Sequence, residues 1–114
     1  MNLKSEYFEA IRAGRKRYEL RINDEKRQGI QAGDIVRMIC AESPHNYYSV
    51  IVQERTVWPT FAEALAHCGI ERALPGCTEL AAAVALYHEF PGYQAGALAH
   101  GVVCFKLGAR SRML

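Results

Sequence analysis

The sequence predicts an α+β domain built on a small mixed sheet or barrel. Segments with strand periodicity lie on both sides of a block with helical periodicity, and the regular alternation of strand and helix that a parallel α/β sheet requires is missing. The 114 residues suit a single domain, residues 1–114. Half of them are hydrophobic and the net charge is only +2, which excludes a mainly disordered chain.

The first elements are a helix and a strand. Phe8 and Ile11 share a helical face with Tyr7, and Gly14 is placed to end that helix. Over residues 17–22 charged and apolar residues then alternate. This period of two predicts a strand with one apolar face and one charged face.

The next two strands are predicted to form a hairpin. The run Ile35–Cys40 is almost continuously apolar, as is usual for a buried strand. A short loop with Pro44 follows, and Tyr48–Val57 is a second, longer run rich in strand-forming residues. Two such runs joined by a short loop are expected to pair in antiparallel fashion.

A helical block precedes the last strand. Thr60 and Glu63 have the spacing of a capping box, so a helix is expected to begin there. Thr78 is expected to cap a second helix. Residues 93–100, which follow a Phe-Pro-Gly stop, are interpreted as a loop, and Val102–Leu107 as the final strand.

Composition limits the possible cofactors and locations. No Cys/His ligand spacing or glycine-rich nucleotide loop is present, so no metal and no cofactor are expected. No apolar run is long enough to span a bilayer, and the N-terminus lacks the apolar region of a secretory signal. The cysteines are interpreted as buried free thiols, which suits the cytoplasm. These are Cys40, Cys68, Cys77 and Cys104.

The most informative segment runs from Gly14 to Arg21. Side chains two apart on a strand project to the same face, so Glu19 and Arg21 are expected together, with Lys16 at the mouth of that face. Lys16 and Arg21 can hold a phosphate while Glu19 accepts a hydrogen bond from an amine. The alternative is a solvent-exposed strand whose ion pair contributes less than about 1 kcal/mol.

This segment also resembles a known family. The pattern Gly14-x-Lys16-x-x-Glu19-x-Arg21 is similar to the G-x-K-x-x-E-x-R signature of ASCH domains, which belong to the PUA-like superfamily. The I-x-x-G-D turn at residues 30–34 is similar to the family as well. The resemblance implies a PUA-like small mixed β-barrel with flanking helices, and a cleft that is lined by Lys16, Glu19 and Arg21.

The resemblance further implies that the ligand is RNA or a nucleotide-like group, in RNA metabolism or translation. Residues 1–37 carry a net charge of +3, which favours an anionic partner. Phosphate contacts would supply affinity without reading sequence. The basic residues near the motif are the candidates for such contacts: Arg15, Arg17, Lys26 and Arg27.

Single-stranded RNA also requires an exposed aromatic side chain on which a base can stack. Tyr47, Tyr48, Tyr87 and Tyr93 are available. Tyr87 falls on an apolar helical stripe and is expected in the core. Tyr93, in the glycine-rich segment, is the preferred stacking candidate.

Two other functions remain open. Some relatives are hydrolases: the acetylcytidine amidohydrolases use the motif lysine, a threonine where Glu19 stands here, and a downstream glutamate, for which Glu71 is the nearest candidate. The alternative function is therefore a small hydrolase of a modified nucleoside, or a ribonuclease, with Lys16 as its catalytic base. The third possibility is a protein-interaction module in which a buried Glu19–Arg21 network only holds the barrel together.

Overall fold

The computed structural model describes the backbone of residues 1–111 and the side chains of residues 1–108. Within this range the chain forms five strands and six helices. The strands are β1 (Asn2–Leu3), β2 (Tyr18–Ile22), β3 (Ile35–Cys40), β4 (Tyr47–Trp58) and β5 (Val102–Ser111). The helices are α1 (Ser5–Arg12), α2 (Glu25–Gln28), α3 (Phe61–Cys68), α4 (Ile70–Ala73), α5 (Leu80–His88) and α6 (Tyr93–His100).

The five strands form one mixed sheet in the order β1-β3-β4-β5-β2. β1 pairs in parallel with β3, whereas the other neighbours are antiparallel. The predicted hairpin is confirmed, since Ile35 lies opposite Ile51. Two register shifts interrupt the pairing of β4 with β5, and such irregularities increase the curvature of a sheet. The result is a half-barrel, and the predicted α+β class is confirmed.

The two edges of this half-barrel, β1 and β2, are joined by a side chain. Arg21 of β2 donates a hydrogen bond from Nη2 to the carbonyl oxygen of Asn2 in β1, over 2.7 Å. In the described part of the chain the two edge strands share no backbone ladder. The motif strand β2 is therefore an edge strand. Among the described strands, its second edge has no backbone ladder and faces β1 across the gap that is called the seam below.

The sheet is covered on both faces. Along β5, Val102 and Cys104 pack into one core with α3, α5 and α6, whereas Val103 and Phe105 pack into a second core with α1, β3 and β4. This double burial explains why the sequence of β5 is continuously apolar. In the first core the ring of Phe61 lies parallel to that of Tyr87, with 4.6 Å between the ring centroids.

The interpretation of residues 93–100 as a loop is wrong, because these residues form α6. The glycines in and around this segment favour a loop by sequence alone. Gly92 and Gly101 flank the helix with positive φ angles of 79° and 77°, so they bound it instead of breaking it. Gly96 lies inside it, where a Cβ would come within 3.0 Å of Ile22 Cγ2, so its lack of a side chain lets α6 pack on β2.

Two smaller expectations are also corrected. Thr78 does not cap α5, because the helix begins at Leu80 with Glu79 at its N-cap and no side-chain cap bond. Cys77 is half-buried, whereas the other three cysteines are buried as expected, and all four are free. No helix in the described part of the chain is both long and apolar enough to cross a membrane.

The predicted cap at Thr60 is confirmed and can be tested. Its hydroxyl accepts a hydrogen bond from the backbone N–H of Glu63 over 3.1 Å. We expect Thr60→Ala to lower the free energy of unfolding by about 1 kcal/mol, because a helix N–H loses its partner. Thr78→Ala is the matched control and should change it by less than about 0.5 kcal/mol. Equal losses in urea denaturation would show that the bond at Thr60 contributes nothing specific.

Candidate functional site

The turn before β2 directs the motif lysine inwards. Gly14 adopts a φ of +81°, a conformation that other residues rarely tolerate. The backbone N–H groups of Arg15 and Lys16 then both donate to the carbonyl of Ala10, over 2.9 and 3.1 Å. This tight reversal buries Lys16 while its neighbours Arg15 and Arg17 remain exposed.

The ammonium of Lys16 is fully engaged by the protein. It donates to the backbone carbonyls of Tyr18 and Ala73 over 2.7 and 2.6 Å, and it lies 3.0 Å from Glu19 Oε1. An ammonium has three N–H donors, so none is left for a ligand. Only 3% of Lys16 is exposed. The side chain therefore supplies a buried positive charge and fixes Glu19, but it does not offer a hydrogen bond to a guest.

Glu19 joins the two cations of the motif. Its Oε2 accepts a hydrogen bond from Arg21 Nε over 2.6 Å, and its other oxygen faces Lys16. Burial alone would raise the pKa of Glu19, but the charges and hydrogen bonds of Lys16 and Arg21 outweigh it and hold the pKa below its ordinary value. The alternative of an exposed strand pair is wrong, because Glu19 is only 5% exposed.

Arg21 is the member of the motif that retains free donors. Burial alone would lower the pKa of Arg21, but Glu19 beside it raises that pKa, so the guanidinium stays charged. Of its five N–H donors, Glu19, the Asn2 carbonyl and the Tyr93 hydroxyl engage at most three. At least two donors have no acceptor within the described residues. The network of Lys16, Glu19 and Arg21 carries a net charge of +1.

A cavity of about 220 Å³ lies above this network, at the seam between β1 and β2. All three motif side chains line it, as the sequence analysis expected. The rest of its wall is largely apolar and aromatic. These lining residues include Leu3, Tyr7, Leu20, Leu74, Tyr87, Phe90 and Tyr93.

Tyr87, one of the residues that line the cavity, has a buried hydroxyl without a partner. Tyr87 is only 4% exposed, and its hydroxyl has no hydrogen-bond partner within the described residues. Burial, with the nearby charge of Glu19, raises the pKa of Tyr87 well above its ordinary value, so the hydroxyl is a neutral donor. A buried tyrosine hydroxyl normally has a partner. The described part of the protein supplies no acceptor for this hydroxyl, which makes it a candidate donor to a ligand.

The other predicted residues divide into two groups. Arg15, Arg17 and Lys26 are exposed, and none of them lines the cavity above the motif. Arg27 is half-buried and lines a separate cavity next to it, as does Tyr93. Tyr93 is the first residue of α6, and its half-buried ring lies parallel to that of Phe61 with 5.9 Å between centroids. It is held in place, whereas a loop residue would be free to adapt.

Sequence reasoning missed several residues of the wall. Tyr7 and Phe90 contribute rings to the cavity, and Tyr87 does so despite its place in the core. The available signal for Tyr87 was a hydroxyl on an apolar helical stripe. Phenylalanine would pack there equally well, so the hydroxyl indicates a role beyond packing. Of the remaining candidates, Tyr48 is buried and donates to the carbonyl of Phe8, and neither it nor Tyr47 lines this cavity.

The comparison with family models decides the family. The ASCH domain model matches residues 1–107. The chain belongs to the ASCH domain family. The match covers β1, the motif strand and all six helices, so the ASCH assignment applies to the cavity described above as well as to the sheet.

Two solved structures support the ASCH assignment. The crystal structure of the hypothetical protein PH0355 superposes with a TM-score of 0.85 at 33% identity, covering 97% of this chain and 96% of that one. The solution NMR structure of protein PF0455 from Pyrococcus furiosus gives a TM-score of 0.76 at 27% identity, covering 99% and 96%. No curated protein matches this ASCH domain.

Proposed function

We propose that this ASCH protein binds RNA, or a nucleotide, by taking one unpaired base into the cavity above the motif. The observation that carries the proposal is the orphan Tyr87 hydroxyl in a wall of aromatic rings, next to a buried charged network with free Arg21 donors. Aromatic faces stack on any base, and a few fixed polar groups then orient it.

The size of the cavity favours a single base. Pockets that bury drug-sized ligands measure roughly 300 to 1,000 Å³, whereas this one has about 220 Å³. A base within a duplex cannot enter such a space, because its faces are stacked and its edge is paired. The ligand is therefore a nucleotide, or a base in a single-stranded or looped segment of RNA.

The hydrogen-bonding groups around the cavity favour a base that has both acceptor and donor groups on its edge. The free donors of Arg21 and the Tyr87 hydroxyl suit carbonyl oxygens and ring nitrogens. Glu19 has acceptor capacity beyond its two ion pairs, since a carboxylate offers about four lone-pair sites, and it can accept from an exocyclic amine. Lys16 contributes charge only, because its three donors are taken.

The same geometry favours binding over hydrolysis. A catalytic base must exchange a proton with the substrate. The Lys16 ammonium could do so only after breaking hydrogen bonds to two carbonyls and Glu19. Glu71, the candidate for the downstream acid of the amidohydrolases, is exposed on α4 and does not line the cavity.

Tyr87→Phe tests the proposal with two readouts of opposite sign. Removing an unsatisfied buried hydroxyl should raise the free energy of unfolding by about 1 kcal/mol, because its desolvation is no longer uncompensated. The same variant should bind a fluorescein-labelled, mixed-sequence single-stranded oligoribonucleotide about tenfold more weakly, because a ligand hydrogen bond is lost. Urea denaturation and fluorescence anisotropy at fixed, moderate salt measure the two effects.

Tyr48→Phe is the matched control. Its hydroxyl has a partner, the carbonyl of Phe8 at 2.5 Å, and lies outside the cavity. This variant should lose about 1 kcal/mol of stability and keep its RNA affinity. Absence of RNA and nucleotide binding by the unaltered protein, or equal affinity in Tyr87→Phe, would overturn the proposed function.

A further inference from the structure

A second cavity adjoins the first along α6. It has a volume of about 240 Å³, and it is lined by polar groups from the end of β2 to the C-terminal end of α6. Asp24, the N-cap of α2, and Arg27, within α2, line it from one side. His100 lines it from the last turn of α6. The first cavity combines aromatic rings with the charged motif, whereas this one has a single tyrosine ring, that of Tyr93, beside Asp24, Arg27 and the imidazole of His100.

The two cavities share the side chain of Tyr93. Its ring lines both of them, and its hydroxyl interacts with Arg21 of the first cavity. Burial raises the pKa of Tyr93, while the charges of Arg21 and Arg27 oppose that rise, so both cations lie within electrostatic reach of the hydroxyl. A ligand that passes the edge of this ring would have one part in each cavity.

Packing fixes the spacing between the two cavities. Gly96 allows α6 to lie directly on Ile22, one residue after Arg21 in β2. Tyr93 and His100 are therefore held at opposite ends of α6 against the same strand. A base and the phosphate of the same nucleotide are likewise separated by one sugar, so two neighbouring subsites suit them.

We infer that the second cavity binds the phosphate of the nucleotide whose base occupies the first cavity. The inference rests on the proposed function and makes it more specific. The ligand class becomes a nucleotide, either a nucleoside monophosphate or one unit of a single strand, in preference to a free nucleoside. Arg27 is the principal phosphate ligand, and His100 is a second donor.

The guanidinium of Arg27 has one weak ion pair within the described residues, with Asp24. Its Nη1 lies 3.4 Å from Asp24 Oδ2, and the other carboxylate oxygen accepts from the backbone N–H of Arg27 over 3.2 Å. Both are long for charged hydrogen bonds, and a planar guanidinium has further donors to offer. Asp24 thus orients Arg27 and competes with an incoming anion. Lys26, on the same helix, is exposed and lines neither cavity.

The experiment compares ribonucleosides with their 5′- and 3′-monophosphates by isothermal titration calorimetry. In the unaltered protein one monophosphate series should bind about tenfold more tightly than the nucleosides. Arg27→Ala should abolish this ratio while leaving nucleoside affinity unchanged. Lys26→Ala removes the same charge from the same helix, and it should preserve the ratio.

Asp24→Asn gives a result that damage to the fold cannot imitate. Asparagine still caps α2, since it accepts the same backbone hydrogen bond. It no longer competes for Arg27 or repels the phosphate, so monophosphate affinity should rise about threefold. The single-stranded oligoribonucleotide should show the same order of affinities, and its log–log salt slope should fall by about one unit in Arg27→Ala.

The outcomes separate the two proposals. Equal ratios in Arg27→Ala and Lys26→Ala, or weaker monophosphate binding in Asp24→Asn, would overturn the second subsite and leave base binding intact. If nucleosides bind as tightly as both monophosphate series, the second subsite is likewise overturned and base binding is left intact. Failure of nucleosides, monophosphates and oligoribonucleotide alike to bind would overturn the proposed function together with this inference.

Discussion

Replacing Lys16 by methionine is expected to lower the free energy of unfolding by about 3 to 5 kcal/mol. The substitution keeps the volume of the buried stem but removes the charge. Glu19 then loses one of its two cations, and the carbonyls of Tyr18 and Ala73 lose their donor in the protein interior. Buried acceptors without partners and a half-paired carboxylate are each costly. Urea denaturation at neutral pH measures the loss.

Arg17→Met is the control for this loss. Arg17 lies one residue from Lys16, but it is exposed, and its side chain makes one hydrogen bond of 3.3 Å to the carbonyl of Gly14. The expected change is within about 0.5 kcal/mol. A Lys16 variant as stable as the Arg17 variant would contradict the view that the motif lysine is a buried structural cation.

Glu19→Gln is expected to remove about 3 kcal/mol of stability at neutral pH, since it leaves Lys16 and Arg21 as unpaired, largely buried cations. It should also flatten the acid limb of the stability curve. The pKa of Glu19 is lower in the folded protein than its ordinary value of 4.5. The stabilisation from its ionised form is therefore complete above pH 4.5 and is lost as the pH falls through the folded pKa.

The measurement is urea denaturation from neutral pH to about pH 3. The stability difference between the unaltered protein and Glu19→Gln should be largest at neutral pH and should shrink on acidification. A difference that stays constant across this range would show that Glu19 does not titrate as the buried network requires. The sign is opposite to that of a carboxyl group with a raised pKa, which would stabilise the fold in acid.

The third hypothesis from the sequence was that the motif only holds the barrel together. The structure agrees with one part of it. The Glu19–Arg21 network is buried and joins β2 to β1, as that hypothesis requires. The network also lines a cavity, which a purely structural role does not require. Tyr87→Phe separates the two roles, because it leaves the network intact and alters only the wall above it.

The motif strand and the hairpin were predictable because their signals are local. Alternation over residues 17–22 and two apolar runs around Pro44 require only the period of a strand. The pairing of Glu19 with Arg21 also followed from their spacing along one strand, and Lys16 was expected at the mouth of that face because it precedes the strand closely. That these charges are buried did not follow, because burial depends on α4 and β1 packing against them from distant parts of the chain.

The features that escaped prediction depend on tertiary context. The glycines around residues 93–100 read as loop signals, although Ala95, Ala97 and Ala99 are strong helix formers. In the fold Gly96 packs this helix against Ile22, a contact that no local signal reveals. Among the predicted phosphate contacts, Arg27 was equivalent to Lys26 by sequence, and only the fold places one of them in a cavity. Residues 106–114 also carry three basic residues and no acidic ones, but the side chain of Arg110 and the whole of Arg112 lie outside the described residues.

A half-barrel whose edges are joined by one guanidinium differs from a barrel closed by a ladder of backbone hydrogen bonds. Arg21 holds Asn2 with one N–H and has others available for a guest, so occupancy of the cavity and fastening of the first strand draw on the same group. A ligand that draws this group away from Asn2 removes one of the contacts that hold β1, whose backbone pairing with β3 remains. By thermodynamic reciprocity, ligand binding in the cavity and the contact between β1 and β2 change each other by the same coupling free energy.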